Sequence, residues 1–203
     1  YFDELLDVIR DIRTSEAMFY DKVKAIYTTS SDYDPHSELT AKFFATVQNK
    51  LHFAITGHTA AELIAGRANA KHPTMGLTSW RKGPKGKIFK TDIATAKNYL
   101  QPDELKSLNH IVDMYLDHAE FQASRGRLMK MADWKARLDA FLQFNEQDIL
   151  QDKGRVSHAV AVALAEKAYA AFRVEQDRRY ESDFDRVLTE LPAPKPKSKK
   201  KQS

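Results

Sequence analysis

Residues 34–67, DPHSELTAKFFATVQNKLHFAITGHTAAELIAGR, decide the fold. Leu39, Phe43, Val47, Leu51 and Ile55 recur every four residues, and Phe44 and Ala54 widen the stripe. That spacing predicts a helix with one apolar face. Asp34 and Pro35 read as its start, because an Asp side chain accepts from orphan amides and Pro fits the first helical position. Gly57 suits the left-handed residue that closes a helix. Thr59-Ala60-Ala61-Glu62 reads as a capping box opening a second, short helix through Leu63, Ile64 and Arg67. A long helix, a glycine turn and a short helix make a defined corner.

The same reading carries outward. Leu5, Val8, Ile9, Ile12, Phe19, Val23 and Ile26 predict a helix over 1–27. Pro102-Asp103-Glu104 opens a long helix whose inward face is Leu105, Leu108, Ile111, Val112, Tyr115, Leu116 and Ala119. Arg125-Gly126 breaks that pattern. Trp134, Leu138, Phe141 and Leu142 mark another helix, with Gly154 as its stop. Ser157 caps a last, alanine-rich helix through Val160, Leu164, Ala168, Phe172, Tyr180, Phe184 and Leu188. Ile88-Phe89 offers at most a short strand. The expected fold is all-α: one compact domain of about seven helices over 1–191, with a disordered Lys/Pro-rich tail over 192–203.

Composition excludes several classes. At 203 residues and 42% hydrophobic content the chain can bury one sizeable core. No segment approaches the roughly 18 apolar residues of a membrane span, so no membrane partner is expected. Cysteine is absent, which excludes disulfides and thiolate metal sites and fits a cytoplasmic location. Starting at Tyr1 rather than Met, the sequence is expected to be a piece of something longer. The formal net charge of +4 falls to −1 once the five tail lysines are set aside, so the body is nearly neutral.

Within that body one loop stands out. Residues 68–90 hold Pro73, Gly76, Gly83, Pro84 and Gly86 and no acid. Lys71, Arg81, Lys82, Lys85, Lys87 and Lys90 gather there beside His72, Trp80 and Phe89. Cations, glycines and aromatics suit a phosphate backbone with a base to stack on. A solvated loop whose Trp80 tucks into the core accounts for the same residues.

Two other constellations bear on chemistry. Asp32, Asp34, His36, His52, His58 and Glu62 bring carboxylates and imidazoles near the corner. Such a set, above all Asp32, Asp34, His58 and Glu62, suits a divalent metal whose bound water is a hydrolytic nucleophile. Capping roles already account for Asp34, Glu62 and Thr59. His110, Asp113, Asp117 and Glu120 share one helix side, as a carboxylate site or a solvated face would. Arg67 followed by His72 has the spacing of some ribonuclease helices, but Pro73 disfavours helical geometry there.

Several separated segments carry a family resemblance. They are SSDYDP (30–35), VQNKLHFAITGHTAAELI (47–64), RANAKHPTMGLTSW (67–80), AKNYLQPDELKSLNHIV (96–112), YLDHAEFQA (115–123), MADWKARLDAFLQFNEQDIL (131–150) and GRVSHAVA (154–161). In this order they resemble the RhuM-type virulence protein family, over nearly all of residues 1–185. The resemblance implies a protein of pathogenicity islands and other mobile elements, with a helix-turn-helix-like module preceding the matching part in family members. Some relatives are labelled Fic-type toxins, but the His-Pro-Phe…Gly-Asn-Gly-Arg loop of that chemistry is absent here.

Two functional expectations follow. The first is a non-enzymatic, DNA-associated or partner-binding protein, with no cofactor. Its helical body would dimerise or hold a protein partner, and Lys71, Trp80, Arg81, Lys82, Lys85 and Lys87 would meet nucleic acid. The alternative is an effector enzyme, either a metal-dependent nuclease using His52, His58 and Glu62 or a degenerate Fic-like toxin; a divalent metal belongs only to this alternative.

Overall fold

A computed structural model describes Glu4, Leu6 and residues 19–179. The expected core positions Leu5, Val8, Ile9 and Ile12 lie outside these residues, as do Tyr180, Phe184, Leu188 and the tail. Seven α-helices appear among the described residues: α1 (Phe19–Thr28), α2 (Glu38–Thr56), α3 (Ala60–Arg67), α4 (Lys90–Ile93), α5 (Pro102–Ser124), α6 (Met131–Phe144) and α7 (His158–Arg179). A 3-10 turn, Ala96–Tyr99, precedes α5. No β-strand forms among the described residues, so Ile88-Phe89 is loop.

Helix α2 starts later than its sequence suggests. The Asp34 carboxylate accepts from the His36 amide at 2.9 Å, closing a turn, and the N-cap is Ser37, whose Oγ accepts from the Leu39 amide at 3.2 Å. Val47 and Leu51 are buried, and Phe43, Phe44 and Ile55 pack half-buried against the same core. Leu39 departs from the expectation, with 75% of its surface exposed. Gly57 closes the helix at φ 70°, its amide donating to the Phe53 carbonyl.

Two apolar clusters form among the described residues. The larger gathers Val23, Ile26 and Tyr27 of α1, Val47 and Leu51 of α2, the inward face of α5, and Trp134, Leu138 and Leu142 of α6. The smaller gathers Ala61 and Ile64 of α3, Met75, Leu77 and Ile88 of the long loop, Ile93, Tyr99, and Ala161, Ala165 and Phe172 of α7. Neighbouring residues of α3 face different clusters, Leu63 the first and Ile64 the second. This short helix therefore joins the halves. Burying each of these large aliphatic side chains stabilises the fold by roughly 1.5–3 kcal/mol.

Two further expectations are corrected. Helix α6 ends at Phe144 and not at Gly154. Residues 145–157 form an irregular strap in which Gly154, at φ 77°, lies against Thr59. On α7, Val160 and Leu164 are exposed, whereas Ala161 and Ala165 are buried. Alanine lets α7 approach α3 closely, and a bulkier branched residue on that face would hold the helices apart.

Candidate functional site

The corner is built by mutual capping. Thr59 Oγ1 accepts from the Glu62 amide at 3.3 Å, and Glu62 Oε2 accepts from the Thr59 amide at 2.8 Å. The other Glu62 oxygen accepts from the Arg155 amide at 2.7 Å, fastening the strap. Burial alone would raise the Glu62 carboxyl, but the amide bonds from Arg155 and Thr59 outweigh it and hold the group below its ordinary range. His58 is exposed, with Nδ1 2.7 Å from the Thr56 carbonyl, so that nitrogen carries the proton. His52 has no exposed surface. Burial pushes its pKa down to about 4, with Glu104 pulling up and Arg67 pushing further down.

A cleft of about 710 Å³ opens beside the corner, walled by Phe53, His58, Glu62, Leu150, Asp152 and Arg155. The remaining members of the acidic and imidazole set have other roles. Asp32 accepts from the Met131 amide at 2.8 Å, and Asp34 and His36 form the turn before α2. Among the described residues no three His, Asp or Glu side chains gather as metal ligands.

Arg67 makes a fork that its sequence context does not reveal. Its two terminal nitrogens donate to the two Glu104 oxygens at 2.6 Å each, and one also reaches the Tyr99 carbonyl at 2.7 Å. The fork ties α3 to the start of α5, where Glu104 also accepts from the Gln101 amide at 2.7 Å. His72 lies apart, exposed in a loop turn beside Thr74. His110, Asp113 and Asp117 are exposed along α5, with Glu120 half-buried.

The basic loop is fastened to α7 rather than hanging free. The Ile88 amide donates to Gln176 Oε1 at 2.8 Å, while Gln176 Nε2 and the Tyr169 hydroxyl donate to the Ile88 carbonyl at 3.1 and 3.0 Å. Lys87 pairs with Asp177 at 2.8 Å and Lys90 with Glu166 at 3.0 Å. The Lys87 bond, chiefly, holds the Asp177 carboxyl below its ordinary range. Arg81 and Lys82 sit over the Phe89 ring at 5.2 and 5.4 Å from its centre. Trp80 is half-buried, its indole nitrogen donating to the Gly86 carbonyl at 2.8 Å.

Loop and helix enclose a groove of about 550 Å³. Lys71, His72, Trp80 and Lys85 form one side; Phe172 and Arg179 belong to the other. Residues 68–90 signal this groove in the sequence, but the α7 wall does not, because Gln176 lies 88 positions from its partner Ile88. The acids of α7 facing an acid-free loop were the available signal.

The chain matches the model of the Virulence protein RhuM family over residues 1–181. It belongs to that family. No curated protein and no solved structure matches it. For this RhuM-family protein the family name assigns no reaction to any side chain. None of the described helices of this RhuM-family chain is long and apolar enough to cross a membrane.

Proposed function

We propose that this RhuM-family chain is a non-enzymatic, DNA-associated protein that meets nucleic acid through its basic loop. One observation carries the reading: an acid-free loop with Lys71, Arg81, Lys82 and Lys85 exposed is held to α7 by paired backbone and side-chain bonds. Cations presented on a braced loop displace counterions from phosphates with little ordering cost. Lys87 contributes less, because Asp177 already neutralises it. The corner supports the non-enzymatic side, since both Glu62 oxygens serve backbone amides and His52 is sealed in the core.

The test compares the full chain with a Lys71/Arg81/Lys82/Lys85→Ala variant on duplex DNA across a salt series. The tail is common to both, so its lysines cancel in the comparison. The slope of log K against log salt becomes shallower by up to about 0.9 for each phosphate contact removed. An unchanged slope eliminates the loop. Incubation with plasmid DNA and total RNA, with Mg2+ or Mn2+, checks the other half: cleavage would replace this reading with a metal-dependent nuclease.

A further inference from the structure

Resting on that reading, we infer that the groove between the loop and α7 is a stacking subsite for single-stranded nucleic acid, with Trp80 as its platform. Three observations converge. The first is size. At about 550 Å³ the groove lies in the range that encloses a ligand of one or two nucleotides, and a base enters it only when it is unpaired.

The second is pre-organisation. The Trp80 indole is tethered by its nitrogen to the Gly86 carbonyl, and the Gly86 amide in turn donates to the Lys82 carbonyl at 2.7 Å. Gly83 presses against the ring so closely that a Cβ there would stand 3.0 Å from a ring atom. Held in this way, the ring forms part of the groove wall, and a base stacking on it orders no mobile side chain.

The third is complementarity. Pro73 and Pro84 add apolar surface for a base, with the buried Phe172 behind them, and Lys71 and Lys85 place cations beside it for the phosphates. Arg179 and Glu175 also line the groove, but they pair with each other at 2.6 Å, so together they shape the wall and add no net charge. A duplex keeps its bases stacked inside and meets only the cations. A single strand meets cations and ring together.

The experiment uses the full chain with a short oligothymidylate, alone and annealed to its complement. Trp134, the other tryptophan, is buried in the larger core, so a ligand-induced fluorescence change reports Trp80. The single strand quenches this emission and binds more tightly than the duplex. Trp80→Ala weakens single-strand binding about tenfold to a hundredfold, a much larger loss than it causes on the duplex, and both salt slopes stay nearly unchanged because stacking releases no counterions. Trp80→Phe keeps a stacking face, so it retains the single-strand preference while losing the fluorescence signal. Equal binding of the two forms by the unaltered protein, with no quenching, overturns the subsite and leaves the loop's phosphate role standing. No binding of either form at low salt overturns both. Because the unaltered protein supplies the deciding measurement, a poorly folding Trp80→Ala variant does not shield the inference.

Discussion

His52 shows how a single side chain sets a pH limit. Its imidazole is buried and neutral, with a pKa near 4 against an ordinary 6.5. The unfolded chain therefore takes up a proton in that interval and the folded chain does not. His52 contributes its full stability above about pH 6.5, and this is lost as pH falls toward 4, on the order of 3 kcal/mol in all. Urea titrations at stepped pH will show a decline over this window that His52→Gln flattens; an equally steep decline in the variant would assign the effect elsewhere. Glu62 and Thr59 act at the same scale. Thr59→Ala leaves the half-buried Glu62 amide without its acceptor and lowers stability by about 1 kcal/mol. Gly154→Ala adds left-handed strain of roughly 1–2 kcal/mol, and its new Cβ would meet Thr59 Cγ2 at 2.6 Å. In thermal melts Gly154→Ala is expected to be less harmful when Thr59 is already Ala, because the clash is then relieved. The Thr59–Glu62 box was legible because its partners are three residues apart. The Arg155 and Gly154 contacts were not, since no local pattern connects residues more than 90 positions apart.

At the scale of a helix, α2 separates pattern from burial. A repeat of four outruns the helical turn by about 40° per step, so a stripe of five such residues winds around the helix. Val47 and Leu51 stay inside, and Leu39 is carried into solvent. Leu51→Ala should lower unfolding free energy by about 2–5 kcal/mol, whereas Leu39→Ser should leave it nearly unchanged. Similar denaturation midpoints for the two variants would contradict this packing. The same turn hides Lys50, which reaches Asp139 at 2.8 Å and the Leu150 carbonyl at 3.3 Å, tying α2 to α6 and the strap. Asp139→Ala leaves a buried ammonium without its carboxylate, whereas Lys50→Met leaves a side chain that is 32% exposed, its pairing oxygen buried but the group as a whole reached by water. The first should be the more destabilising of the two in chemical denaturation, and the reverse order would show that Asp139 matters little to Lys50. On α7 Val160 and Leu164 suggested the wrong face for the first turns, because the alanines buried against α3 carry too little hydrophobicity to announce themselves; Phe172, further along, is buried as its position suggested.

Across the whole molecule, the two clusters meet at α3, where Leu63 and Ile64 point to opposite sides. Neither half can lose this helix and keep its own packing. Trp134 belongs to one cluster and Trp80 packs on the other, which gives each half its own reporter. Proteins retaining only one tryptophan, through Trp80→Phe or Trp134→Phe, should melt in transitions that coincide with the loss of helical circular dichroism in the same sample. Separated transitions would mean that the halves unfold independently. The all-helical class was readable from periodicity alone, but the division into two clusters was not. It depends on which face each helix presents to a distant partner.

The attachment of the basic loop to α7 also has a consequence in time. A ribosome releases the loop first, and Gln176 follows Ile88 by 88 residues. At roughly 5–20 residues per second the loop waits about 4–18 seconds for the helix that braces it. Throughout that wait its lysines are exposed on an unanchored segment. Nascent chains arrested before α7 emerges should therefore be cut at Lys82, Lys85 or Lys87 by trypsin, and released full chains should resist at the same sites.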